Sequence, residues 1–174
     1  YTNTKDILYI EALLCSSVTE YILNVLNPSI SYQPGNIGSI PLCVSEEKRH
    51  TIEKMADECI SNSTQYWDSF ETSWDFKQHP LICSVFTVTE AFNQWKTECD
   101  ERFEQLKDNE EELNRIFIDI YGLQNELIPE VEDKDITVRK ADLSRDIRSF
   151  ISYAVGCRFG RYSLDEEGVI YAGG

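Results

Sequence analysis

The residues that could do acid–base or nucleophilic chemistry are few, and their spacing does not assemble a site. His50 and His79 are the only histidines among 174 residues. A Ser-His-Asp or Cys-His arrangement needs one of them next to a nucleophile. His50 lies in a charged helix start and His79 directly precedes Pro80, so neither has such a context. The six cysteines are Cys15, Cys43, Cys59, Cys83, Cys99 and Cys157, with no Cys-x-x-Cys pair. Several fall on apolar positions of helical patterns, which predicts free, buried thiols in a reducing cytoplasm, with disulfides as the alternative; the spacing fits no common zinc motif. Gly156 and Gly160 are four apart, but no lysine with serine or threonine follows. That rules out a P-loop and predicts close backbone packing at a helix end. Acidic pairs are abundant, yet they fall on periodic, solvated helical faces. Nothing there raises a carboxyl pKa for catalysis. The sequence therefore offers no catalytic, cofactor-binding or metal-binding residue.

One cluster departs from this acidic background. Arg139, Lys140, Arg145, Arg148, Arg158 and Arg161 crowd into the last quarter, with Asp142 and Asp146 interleaved. Two readings stand: internal ion pairs with an acidic helix, or a contact of Arg139, Lys140, Arg145 and Arg148 with DNA backbone or another domain.

The chain is long enough, and apolar enough at 41%, for one domain with a buried core, or one domain and a small appendage. It opens at Tyr1, has Met55 as its single methionine and closes on Gly173-Gly174. This reads as a segment of a longer polypeptide, with a processed mature chain as the alternative. No apolar run nears the roughly 20 residues of a membrane helix, so no membrane partner is expected. Thirty-one acidic residues against sixteen basic ones give a net charge of −15. Such a surface repels phosphate backbones and makes the isolated chain a poor DNA binder.

Apolar residues at three- and four-residue steps (Ile7, Ile10, Leu14, Val18, Tyr21, Val25) predict a first helix from about Thr4 to Leu26. A strand at Ile7–Ile10 before a shorter helix is the alternative. Asn27-Pro28 stops the helix. Between Pro28 and Pro41, prolines and glycines predict short extended pieces joined by turns. Ser45 as N-cap and the stripe from Ile52 to Ile60 predict a second helix ending near Ser61. From Asn62 to Leu81, Trp67, Phe70, Trp74 and Phe76 read as packing anchors, because the interleaved Asp68, Glu71 and Asp75 disfavour a base-stacking platform. Phe92, Cys99, Leu106, Leu113 and Ile120 then recur every seven residues, with Trp95, Phe103, Ile116 and Phe117 beside them. This predicts one long helix whose seam packs within the chain or dimerises. A fourth helix is expected from Thr137 to about Val155, and a short strand at Val169–Tyr171.

Three stretches carry a resemblance. Leu26-Asn27-Pro28-Ser29-Ile30-Ser31-Tyr32-Gln33-Pro34-Gly35-Asn36-Ile37, ending in Ile40-Pro41, resembles the close of a target-recognition region in large adenine-specific DNA methyltransferases. The second stretch is Trp67 to Phe76. The third joins Asn109–Leu127 with Ile147–Gly174, notably Ser152-Tyr153-Ala154-Val155-Gly156-Cys157-Arg158-Phe159-Gly160-Arg161-Tyr162-Ser163. The second and third resemble the large methyltransferase of the BREX bacteriophage-defence system. In such enzymes Asn or Asp, then Pro-Pro and an aromatic hold a flipped adenine. Asn27-Pro28 lacks the second proline and the aromatic, so it reads as a helix stop.

The resemblance implies a parent enzyme that transfers a methyl group from S-adenosylmethionine to adenine in DNA, in a phage-defence system akin to restriction–modification. This chain would be a non-catalytic piece from after the catalytic domain, without cofactor. The expected fold is mainly α: a helical bundle with one long heptad-patterned helix and an extended or turn segment near residues 28–42. Residues 1–44 would end a target-recognition-like region, where Tyr32, Gln33, Gly35 and Asn36 serve as structure rather than base readers. Residues 45–174 would form a helical spacer that positions target recognition or binds partner proteins. Expected partners are DNA through the parent enzyme, its other domains and other defence-system proteins, all in the cytoplasm. The alternative is a stand-alone acidic interaction module or nucleic-acid mimic, supported by the charge of −15.

Overall fold

The computed structural model describes residues 6–27 and 31–171. Among them are six α-helices and no strand: α1 (Ile7–Leu14), α2 (Ser17–Leu26), α3 (Pro34–Ile37), α4 (Arg49–Trp67), α5 (Val88–Tyr121) and α6 (Leu143–Arg158). The protein is mainly α, as its periodicities dictate. No single helix among the described residues is long and apolar enough to cross a membrane. The chain packs as two compact units, residues 1–60 with 106–136 and residues 61–105 with 137–174.

In the first unit, α1 and α2 replace the single helix expected over Thr4–Leu26. The break is at Ser16, whose backbone is extended. The Ser16 and Thr19 hydroxyls both donate to the Leu13 carbonyl, at 2.7 and 2.6 Å. Such local bonds compete with the helical ladder. The freed Ser17 N–H donates to Asn114 Oδ1 on α5, at 2.9 Å. The strand alternative at Ile7–Ile10 does not occur. Asn27 is extended and ends α2; Pro28, Ser29 and Ile30 lie outside the described residues, as do Tyr1–Lys5. In the segment expected to be extended, Pro34 at the first helical position starts one turn, α3, and the Gln33 N–H donates to Asn36 Oδ1 at 2.9 Å. The core joins Tyr9, Leu13 and Val18 to Ile52, Ala56, Leu113, Ile116 and Phe117. Tyr9 meets Phe117 edge to face at 5.6 Å, and its hydroxyl donates to the Cys43 carbonyl at 3.0 Å. The seam positions Leu106, Leu113 and Ile120 all turn inward.

In the second unit, the start of α5 packs Ala91, Trp95 and Cys99 against Leu81, Ile147 and Phe150. A second cluster stacks Tyr153 on Tyr162 at 5.0 Å, with Phe76 edge-on to both rings. α4 runs six residues past Ser61, to Trp67, as its polar residues satisfy each other (Gln65 Nε2 to Ser61 Oγ, 3.0 Å). α6 begins at Leu143 instead of Thr137. Asp142 is its N-cap and accepts from the Arg145 N–H at 2.6 Å. Val138 is buried without being helical. α6 ends in a Schellman motif: Gly160 has φ +78°, its N–H donates to Cys157 O at 3.1 Å, and the Arg161 N–H donates to Gly156 O at 2.9 Å. The strand expected at Val169–Tyr171 is absent among the described residues. Instead, the Ile170 N–H makes a single bond to Arg161 O, at 2.8 Å.

Candidate binding groove

The four basic residues singled out in the sequence fall into two pairs, all in the second unit. Arg145 lies along Asp146, with Nε 2.6 Å from Oδ1 and Nη2 3.1 Å from the Lys140 carbonyl. Asp146 is buried and also accepts from the Trp95 indole at 3.2 Å and the Asp142 N–H at 3.0 Å. Lys140 reaches Glu104 on α5 at 2.7 Å and sits over the Phe103 ring at 4.3 Å. Arg139 and Arg148 are exposed and form no ion pair among the described residues. Internal pairing thus accounts for Lys140 and Arg145, and two guanidiniums remain open to a ligand.

Arg139 and Arg145 line a groove of about 690 Å³ together with Tyr66, Trp67, Phe70 and Val138. The α4 extension supplies Ser63, Tyr66 and Trp67 at three- and four-residue steps, and Phe70 follows in the turn beyond the helix. The aromatic run and the basic cluster lie about seventy residues apart in the sequence, and their meeting has no signal in spacing. The run itself divides. Phe76 is buried and Phe70 packs on Tyr66 at 4.9 Å. Trp67 is 56% exposed and Trp74 stands wholly in solvent, so packing does not explain those two.

Of the thiols expected to be buried, Cys99 is, whereas Cys15 and Cys43 are exposed. All six cysteines are free. Burial pushes the Cys59 and Cys99 thiols up to about 12, which keeps both protonated and inert. His79 is buried, accepts from the Leu81 N–H at 3.2 Å, and is lowered by desolvation to about 4. In the first unit, burial raises Glu110 to about 6. Among the described residues no three His, Cys, Asp or Glu side chains converge to hold a metal ion. Gly122 and Gly160, both at positive φ, close α5 and α6 at their C-termini.

Sequence similarity adds what the helices and the groove alone do not give: the chain matches one segment of BREX adenine-specific methyltransferases. It is 47% identical over 176 aligned positions to the adenine-specific methyltransferase PglX of Lacticaseibacillus casei (strain Zhang), covering 97% of this chain and 14% of that protein. It is 29% identical over 187 positions to the adenine-specific methyltransferase BrxX of Escherichia coli O9:H4 (strain HS), covering 98% of this chain and 15% of that protein. The chain therefore spans a small part of the length of either relative. No protein-family model matches it.

Proposed function

We propose that the chain is a non-catalytic helical element of an S-adenosylmethionine-dependent, adenine-specific DNA methyltransferase of a phage-defence system, positioning target recognition or binding partner proteins. The observation that supports this is similarity along 97% of the chain to only 14% of a named adenine-specific methyltransferase. Residues 1–44 close a target-recognition-like region and residues 45–174 form the spacer. That division is one of role along the sequence, while the two compact units are one of packing. S-adenosylmethionine and the methyl transfer belong to another part of the methyltransferase. DNA is met through that enzyme, and Arg139 and Arg148 are the side chains available here for a phosphate or a neighbouring domain. Calorimetric titration of the chain with S-adenosylmethionine tests the reading. No binding heat is expected, and a micromolar constant overturns the non-catalytic assignment.

A further inference from the structure

We propose that the groove along the end of α4 takes a short extended segment of a partner protein, acidic at one end, apolar or aromatic at its centre and basic at the other. This deepens the reading of the chain as a partner-binding element and rests on it.

The argument starts at Trp67. This indole is more than half exposed, although it sits on a helix whose other face is packed. It forms a wall shared by two adjoining concavities, of about 690 and 370 Å³, which also share Ser63. Together they are of the size that takes a short run of side chains. Tyr66, Phe70 and Trp74 add further ring surface on either side. Aromatic walls of this kind bind apolar side chains with large contact area and little rotamer entropy to lose.

The two concavities, one on either side of Ser63 and Trp67, carry opposite charge. In one is Arg139, with Arg145 held on Asp146 behind it. In the other are Asp68, which accepts from the Ser73 hydroxyl at 2.6 Å, and the exposed Asp75. The negative end of the α4 dipole, at Trp67, adds to the Asp68 side. That polarity selects the occupant. A nucleic-acid strand carries a phosphate at every nucleotide and would set at least one against Asp68 and Asp75, on a chain of net charge −15. A peptide with a carboxylate at one end and an ammonium at the other satisfies both.

Fluorescence anisotropy with the labelled peptide Glu-Glu-Leu-Phe-Leu-Lys-Lys tests this. The controls are Glu-Glu-Leu-Phe-Leu-Glu-Glu and a poly-dT strand of about ten nucleotides. The mixed-charge peptide is expected to bind at least about tenfold tighter than either control. Trp67→Ala is expected to weaken it about tenfold. Arg139→Glu, on an exposed residue, is expected to shift preference toward Lys-Lys-Leu-Phe-Leu-Lys-Lys. Equal affinity for the mixed and all-acidic peptides, tighter binding of poly-dT, or no response to Arg139→Glu overturns the inference. So does self-association of the chain through this face, seen by sedimentation and lost in Trp67→Ala. The S-adenosylmethionine titration reads the non-catalytic assignment separately, so either result can fail without the other.

Discussion

Protonation of His79 opposes folding. Its imidazole is buried between Phe150 and Tyr153, with ring centroids at 5.3 and 5.9 Å, and its Nδ1 accepts a backbone bond. Desolvation holds it down to about 4, against 6.5 in an unfolded chain; the nearby Asp146 carboxylate opposes this only in part. Between those values the unfolded chain takes up a proton that the folded chain refuses. Stability from this group is complete above pH 6.5 and drains away as pH falls toward 4, by up to about 3 kcal/mol. His79→Asn keeps an acceptor near Nδ1 but cannot titrate. Melting temperatures measured from pH 7 to 4 are expected to fall less steeply for the variant than for the parent chain. Parallel curves would show that His79 does not set the acid limb. Glu110 acts with the opposite sign: burial raises it to about 6, so its destabilising charge appears as pH rises from 4.5 through that value.

Helix ends decide more of this fold than helix middles. α5 and α6 both close on a glycine at positive φ, Gly122 and Gly160, with the paired carbonyl bonds of a Schellman motif. Inside α6, Gly156 has a different reason to be glycine. A Cβ there would lie 2.6 Å from Cδ2 of Tyr162, a ring fixed by its stack on Tyr153 and its contact with Phe76. Helix propensity favours alanine over glycine by about 1 kcal/mol. The overlap outweighs it, at roughly 1–3 kcal/mol for a forced shift in a packed cluster. Gly156→Ala is therefore expected to lower stability in chemical denaturation with an unchanged m value. A stabilised variant would mean that the Tyr162 ring is free to move.

At the scale of the whole molecule, charge governs encounters. With thirty-one acidic and sixteen basic residues, long-range repulsion keeps polyanions away. Duplex DNA is expected to bind the isolated chain more weakly than about 10⁻⁴ M at physiological salt. Such binding as remains at low salt is expected to lose about two units of salt slope in the Arg139→Ala, Arg148→Ala double variant. An unchanged slope in filter binding would place the contact elsewhere.

Much was legible in the sequence. The heptad repeat from Phe92 to Ile120 fixed one long helix, because a seven-residue apolar period has no other stable solution. Asn27-Pro28 fixed the end of α2, and the Gly156–Gly160 spacing announced a packed helix end. The resemblance in Ser152–Ser163 and its neighbours pointed to the methyltransferases that the chain matches. Tertiary structure decided the rest. The kink at Ser16 depends on a partner, Asn114, distant in sequence. The start of α6 depends on Asp142 capping Arg145 when Thr137 was equally acceptable by type. The meeting of Trp67 with Arg139 was invisible, because periodicity describes one element's faces and says nothing of which loop is folded against them. What the sequence determined was the mainly helical class, the long helix α5 and the stop after α2. What only the fold decided was which aromatic rings stay in solvent and which charges are left at their side.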